Sequence, residues 1–302
     1  MLRWQTIKKE KGFRTASVGC APAAPTILIS IEMDAIMDKA VHACRICQGD
    51  VKYMGATDFN KSGSDHFEGR RVFPPSLIQV DYYRCQQCGF MFTPYFDDWS
   101  DKDFERQVYN NEYLKADPPF AGERAARLAQ FLTRALGDDL RDESLLDFGG
   151  GEGHLERLLR RQGFSDCATY DPHHHANCKK PSRIYSLVTT FEVVEHVSDQ
   201  HNLFKELCSL VAPNGSLLLS TLLQPRDIEM QGVDWWYACP RNAHMAFHTR
   251  RSLQHVLQAH GFYLESLSDE LHIAFRRPNA VSNRFLSLGA ASVQVNDTIC
   301  AD

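Results

Sequence analysis

Four cysteines in two Cys-x-x-Cys pairs, Cys44/Cys47 and Cys85/Cys88, are the residues of this chain whose type and spacing most directly specify chemistry. One such pair clasps one side of a tetrahedral ion, and a second pair, 37 residues further on, closes the other side. Four thiolates leave no open coordination position, so the pattern predicts a structural zinc ion rather than a catalytic one. Gly49 and Gly89 stand beside the pairs and are expected to let backbone N–H groups approach the sulfurs. Two unrelated pairs of core thiols are the plain alternative. The other cysteines, among them Cys167, Cys178, Cys208, Cys239 and Cys300, show no pairing logic. No signal peptide precedes them, which favours a reducing, cytoplasmic compartment and a metal site over a disulfide framework.

A second candidate site is Asp147-Phe148-Gly149-Gly150-Gly151-Glu152-Gly153-His154, preceded by Leu145-Leu146. It predicts a buried strand ending in an acid, a glycine-rich turn and the start of a helix. Two phosphate-binding readings fail on the residues themselves. Gly-x-Gly-x-x-Gly would need a small residue at His154 or Glu156, and no Gly-Lys-Ser/Thr follows. Three histidines are candidates for acid–base chemistry, because a near-neutral imidazole can take a proton from a hydroxyl. His196 ends the stretch Glu192-Val193-Val194-Glu195-His196, while His244 and His248 lie four apart. The zinc-protease pattern is absent from that second pair, since no Glu follows His244. Adjacent histidines cannot all face one ion, so His173–His175 are expected in a solvated loop.

The elements that position these residues follow a strand–helix alternation. Ala125, Leu128, Ala129, Leu132, Ala135 and Leu136 repeat at helical spacing before the central strand, and Gly137 stops them. After the glycine turn, Leu155, Leu158 and Leu159 mark a helix ending near Gly163, and strand Cys167–Tyr170 delivers Asp171. The run 185–196 is an apolar strand leading into Glu-x-x-Glu-His. Asp199 caps a helix over 202–211, Pro213-Asn214-Gly215 turns into a strand over 216–223, and Thr249 caps a helix over 250–260. Segments 263–267 and 272–276 suit an antiparallel hairpin.

The glycine spacing, Asp171, the Glu-x-x-Glu-His end of a strand and the Pro-Asn-Gly turn, in this order, resemble class I S-adenosylmethionine-dependent methyltransferases over roughly residues 122–277. The resemblance implies an α/β fold: a doubly wound, Rossmann-like sheet, mostly parallel, with a C-terminal antiparallel hairpin. It also implies S-adenosylmethionine as cofactor, with Gly149, Gly151 and Gly153 approaching its methionine part and Asp147 favouring its ammonium group. Asp171 would accept hydrogen bonds from the ribose hydroxyls, with Phe191 and Glu192 also beside the cofactor. A cysteine ribbon ahead of this domain is similar to short methyltransferases of sugar and natural-product pathways that carry a zinc-binding module. In those proteins the segment matching Trp235-Trp236-Tyr237 through His248 lies beside the substrate. One departure stands out. Only 14 positions separate Asp171 from Tyr185, where the family fits a helix and a third strand, so the acid that normally contacts adenine has no counterpart.

The chain therefore divides into an extension (1–41), a zinc-ribbon-like module (42–95), a connector or lid (96–120), the methyltransferase domain (121–277) and a tail (278–302). Residues 1–41 are basic, then alanine- and proline-rich, without the apolar core of a targeting peptide; they are expected to be disordered, or to precede a start at Met33 or Met37. The aromatic-rich connector is expected to pack, with Tyr109 and Tyr113 as possible ligand contacts. The tail lacks periodicity and is expected to be partly disordered. A formal charge of −5 gives no global pull towards nucleic acid, and residues 42–95 balance six Lys/Arg against five Asp/Glu. No apolar run reaches the length of a membrane span. The expected function is methyl transfer to a small-molecule or saccharide-linked acceptor. An RNA-modifying enzyme gripping RNA through the ribbon, and a catalytically silent scaffold of the same fold, are the alternatives.

Overall fold

The computed structural model describes residues 43–118, 122–174 and 177–299, with backbone alone over 290–299. The expectations for residues 1–41, His175 and Cys300 lie outside the described residues.

The chain first forms β1 (Val51–Asp58), α1 (Gly63–Glu68), β2 (Gln79–Cys85) and β3 (Met91–Phe92). β1 and β2 pair antiparallel from Val51↔Cys85 to Asp58↔Gln79. Val80 and Tyr82 of β2 are buried on one face, the period-two pattern of a half-buried strand. Short helices α2 (Asp101–Gln107) and α3 (Tyr113–Ala116) follow. Phe96, Trp99 and Phe104 there stack against one another and against Phe59 of the ribbon, with ring centroids 4.8 Å apart for Phe96–Trp99 and 5.9 Å for Phe59–Trp99. Aromatic burial of this kind ties the connector down.

Then come α4 (Glu123–Leu136), β4 (Leu145–Phe148), α5 (His154–Arg161), β5 (Cys167–Tyr170), β6 (Tyr185–Phe191), α6 (Gln200–Leu210), β7 (Val211–Ser220), α7 (Ile228–Gln231), β8 (Ala246–Phe247), α8 (Arg250–Gln258), β9 (Tyr263–Ser266), β10 (Leu271–Phe275) and α9 (Ala280–Ile299). Six strands make the main sheet in the order β5-β4-β6-β7-β10-β9. The first four run parallel, while β10 pairs antiparallel with both β7 and β9. This is the doubly wound, mostly parallel sheet with a closing hairpin that the sequence predicts.

Alternate strand residues feed two cores. Leu145, Leu187, Leu218 and Ile273 face α4, α5 and α9. Their neighbours Leu146, Val188, Leu217, Leu219 and Ala274 face α6 and α8. Both faces of the central strands are covered, so β6 is buried along nearly its whole length, Thr189 and Thr190 included, and not in alternation. The predicted caps form: Asp199 accepts from Asn202 N at 3.0 Å and Thr249 from Ser252 N at 3.1 Å.

Three features differ from the sequence expectation. β7 begins at Val211, ahead of the Pro-Asn-Gly turn, and Gly215 allows it close to β6. A Cβ there would lie 2.8 Å from the Ser186 carbonyl oxygen. The tail is helical: Asn279 and Ser282 cap α9 reciprocally, and Val281 and Phe285 bury one turn apart. Finally, β8 leaves the main sheet and joins the ribbon, giving a second sheet of order β1-β2-β3-β8.

The described residues between β5 and β6 hold neither helix nor strand, so the sheet lacks the third strand of the family pattern.

Candidate active site and metal centre

The register of the parallel strands places Thr169 of β5, Asp147 of β4 and Thr189 of β6 side by side. Asp147 is buried, and its Oδ1 accepts a hydrogen bond from Thr189 Oγ1 at 3.2 Å. Burial pushes its carboxyl up to about 7 against that hydrogen bond, with the nearby Asp171 charge adding to the rise. The turn above it needs its glycines. Gly149, Gly151 and Gly153 all have positive φ. A Cβ on Gly149 would meet Val193 Cγ2 at 2.4 Å, and one on Gly150 would meet Asp147 Oδ2 at 2.1 Å. A Cβ on Gly151 would meet nothing within 4 Å, so this side of the turn opens into space.

Asp171 braces the turn from the end of β5. Its Oδ2 accepts from Gly151 N and its Oδ1 from His173 N, each at 2.9 Å, and Asn177 Nδ2 donates to the Gly151 carbonyl at 2.6 Å. Each carboxylate oxygen keeps a further lone pair for a ligand hydroxyl. The residues fit the methyl donor: an acid under the turn, an open glycine face and a second acid at the neighbouring strand end. The buried Thr169 hydroxyl, with no partner, adds a polar group to the same floor.

β6 ends at Phe191, which is buried, and Glu192 follows with a left-handed φ of 55°. Ser220 of β7 holds this strained residue, accepting from Glu192 N at 3.0 Å and donating to its Oε1 at 2.9 Å. Burial raises the Glu192 carboxyl, opposed by the Arg124 guanidinium, itself bound to both oxygens of Asp117.

The next turn, Val194–His196, carries Glu195 and His196 to the same strand end. Glu195 is fully buried; its Oε1 accepts from Tyr237 at 2.6 Å and its Oε2 has no partner. Burial, reinforced by Glu192, pushes its carboxyl up to about 8. His196 is held neutral by burial and by Arg124, its pKa down to about 4, and its buried Nδ1 is unpartnered. His244 packs edge-on to His196, ring centroids 4.9 Å apart, and its Nδ1 donates to the Tyr237 carbonyl at 2.9 Å. Its other nitrogen, Nε2, therefore carries a lone pair. Ala243, the residue before it, also has a left-handed φ, 60°.

His248 is placed differently. It is fully buried between Phe90 and Phe204, and both nitrogens are engaged, with Ser252 Oγ at 3.1 Å and Gln200 Oε1 at 2.9 Å. Such a ring packs the join between α6, α8 and the ribbon and offers no lone pair to a substrate. The structure thus brings His196 and His244 together and leaves His248 apart.

The four ribbon cysteines converge. Cys44 and Cys88 Sγ lie 3.5 Å apart, as do Cys47 and Cys85, close to the ~3.8 Å edge of a tetrahedron with zinc–sulfur bonds of about 2.3 Å. Backbone N–H groups of Ile46, Gln87 and Cys88 each approach a sulfur at 3.3 Å, the outer support that thiolate sites use. The glycines act otherwise than the sequence suggests. Gly49 lets Gln87 approach, and Gly89, with φ 78°, lets Thr249 approach. The donor set fits a structural zinc ion.

Sequence reasoning missed Glu195 as a site residue, together with Arg124 and Asp117, and named Tyr237 only within a substrate-side segment. Glu195 stood in the quoted motif, but nothing in the sequence shows which way its side chain turns. Tyr109, a ligand contact expected from the sequence, packs edge-on to Tyr113 with ring centroids 4.9 Å apart; burial raises its hydroxyl pKa, and the charges of Glu195 and Asp171 add to the rise.

Residues 120–267 match the methyltransferase-domain family. No curated protein matches the chain. Solved structures with a similar fold include magnesium protoporphyrin IX methyltransferase of Synechocystis PCC 6803 with bound SAH, 14% identical, over 61% of this chain and 97% of that one at a TM-score of 0.40. An O-methyltransferase family protein from Burkholderia thailandensis is 17% identical, over 59% and 63%, at 0.43. Human N-acetylserotonin methyltransferase in complex with SAM is 14% identical, over 55% and 59%, at 0.38. The family match spans the glycine turn, Asp171 and the Glu192–His196 segment. Residues 120–267 of the protein thus correspond to a methyltransferase domain.

Proposed function

We propose that the protein transfers a methyl group from S-adenosylmethionine to a hydroxyl of a small-molecule or saccharide-linked acceptor, in the cytoplasm. Its plan is the ribbon (42–95), connector (96–120), catalytic domain (121–277) and tail (278–302), with zinc a structural part of the ribbon. One observation carries the reading: the glycine turn with Asp147 and Asp171, and the Glu195–His196–His244 group, sit at the carboxyl ends of adjacent parallel strands, where open α/β sheets bind ligands.

Bound S-adenosylmethionine supplies a methyl group already activated on a sulfonium. The chain's own task is then to position the reactants and manage one proton. Asp147 holds the ammonium end, Asp171 the ribose, and Phe191 and Glu192 line the approach between them. The neutral His196 presents its Nδ1 lone pair to an acceptor hydroxyl, steadied by His244 and Glu195. Tyr109 covers the cleft and limits water. No basic stripe emerges on the ribbon, which disfavours RNA as acceptor.

The missing third strand favours a second reading, a scaffold that no longer binds cofactor. Calorimetry with S-adenosylmethionine separates the two. The enzyme reading expects saturable binding that Asp171→Ala weakens by about 100-fold; no heat at millimolar cofactor would leave the scaffold.

A further inference from the structure

We propose that Glu195, His196 and His244 bind a divalent first-row transition ion, a second metal site distinct from the four cysteines and open towards the acceptor. The ligand atoms of these three side chains all lie within 4.8 Å of one another. Around an ion with bonds of about 2.0–2.2 Å they would stand roughly 3.3 Å apart, which side-chain rotation of about an ångström achieves.

What points to a cation is the kind of atom that converges. Glu195 Oε2 is buried without a partner, on a residue that is 0% exposed. His196 Nδ1 is likewise buried and unpartnered. His244 spends its Nδ1 proton on the Tyr237 carbonyl, so the nitrogen it turns elsewhere can only accept. The Thr221 hydroxyl beside Glu195 and the Asn242 and Ala243 carbonyls beside His196 do not meet these atoms in hydrogen-bonding geometry, and a shared cation satisfies the converging carboxylate and imidazoles at once. The outer contacts are those of ligands: His244 is oriented through its far nitrogen by a backbone carbonyl, and Glu195 through its far oxygen by the Tyr237 hydroxyl. Two imidazoles and one carboxylate suit zinc, cobalt, nickel or iron in the divalent state, and not magnesium or calcium.

Three protein ligands leave at least one coordination position open, the mark of a site that binds substrate as well as metal. His196 is the partly exposed member and marks the open side. This deepens the function proposed above and rests on it, with the His196 lone pair then held by the ion in place of the base role: the acceptor class becomes one with an oxygen donor that coordinates the ion, whose hydroxyl releases its proton to water more readily once bound.

The competing occupant of the space is a proton on Glu195 or His196, and cobalt distinguishes the two. The purified full-length chain, its thiolate site filled with zinc, is titrated with Co2+ and followed by absorption and elemental analysis. The expected result is one additional equivalent of cobalt per chain, with a visible spectrum lacking the sulfur-to-cobalt charge-transfer bands of a thiolate site. Glu195→Gln and His244→Asn should each weaken that equivalent at least tenfold while the zinc content is unchanged. No additional equivalent, a thiolate-type spectrum only, or uptake unaltered in both variants overturns the site. Should the variants fail to fold, anomalous diffraction from crystals of the unaltered chain soaked in Co2+ decides it: a peak between Glu195 and His244 supports the site, and its absence there overturns it. Calorimetry with S-adenosylmethionine on the same samples separates the outcomes. Cofactor binding without the extra cobalt removes only this site, whereas loss of cofactor binding removes the enzyme reading itself.

Discussion

The four thiols of the ribbon and the Glu195–His196–His244 group are both convergent donor sets, yet they are assembled by opposite means. The thiols come as two local pairs on tight turns, each turn supplying its own N–H groups to the sulfurs. The second group joins residues some fifty positions apart through β8, a strand of two residues. His244 lies two residues before β8, its carbonyl accepts from Tyr82 of β2 at 2.8 Å, and Met245 N donates to the Glu195 carbonyl at 2.8 Å. The ribbon is therefore the wall against which the acceptor-side histidine is set. A metal site made locally can be read from spacing and serves stability; one made by topology serves chemistry and inherits its precision from the first.

The largest test of that dependence is at the ribbon. Cys47→Ser, or prolonged chelation, should cost zinc binding on the order of 10 kcal/mol, melt the ribbon and abolish methyl transfer together, as elemental analysis and circular dichroism would record. Retained activity after zinc loss would mean that β8 holds His244 unaided.

Asp171→Ala is smaller and confined to the other side. Losing two backbone hydrogen bonds to a carboxylate, with the ribose contacts, should weaken cofactor binding by about 100-fold in calorimetry and leave zinc content untouched.

pH sharpens the same side. Burial raises the folded Asp147 carboxyl to about 7, against about 3.9 unfolded, so between those values the folded state holds the extra proton. Two consequences follow with definite sign. The unliganded protein loses stability as pH rises from about 4 to about 7. Cofactor binding, which needs the carboxylate, should tighten by up to about tenfold per pH unit over pH 5–7 and level off above. A flat affinity profile over that range would detach Asp147 from the ammonium. Asp147→Asn should remove the dependence.

Tyr237→Phe is the mildest. It strips Glu195 Oε1 of its donor at a cost of about 1–3 kcal/mol. The expected effect is a five- to tenfold fall in kcat with cofactor affinity unchanged, measured by steady-state kinetics.

Much of the catalytic domain was legible because its signals are local. Asp199 and Thr249 cap the helices expected of them, Gly137 ends α4, and strand Cys167–Tyr170 delivers Asp171 to the turn. What escaped was non-local. β8 carries no pattern of its own, so its transfer to the ribbon sheet could not be read, and with it went the separation of His244 from His248. α9 escaped because its apolar face is short among the described side chains, Val281 and Phe285 buried with Leu286 packed beside them, too few to show a period. Glu195 escaped because adjacent residues on a tight turn look alike in sequence, and only the fold decides which one turns inward.

One feature of the sheet bears on the donor itself. With β5 as the outer strand, no third strand brings an acid or a hydrogen-bonding edge to the purine among the described residues. A site that grips a group through hydrogen bonds rejects its analogues steeply, while one that merely accommodates it discriminates little. Selection at this end should therefore be loose: donors altered on the adenine ring, such as an N6-alkylated analogue, should compete with S-adenosylmethionine within about tenfold, making the enzyme permissive towards its cofactor.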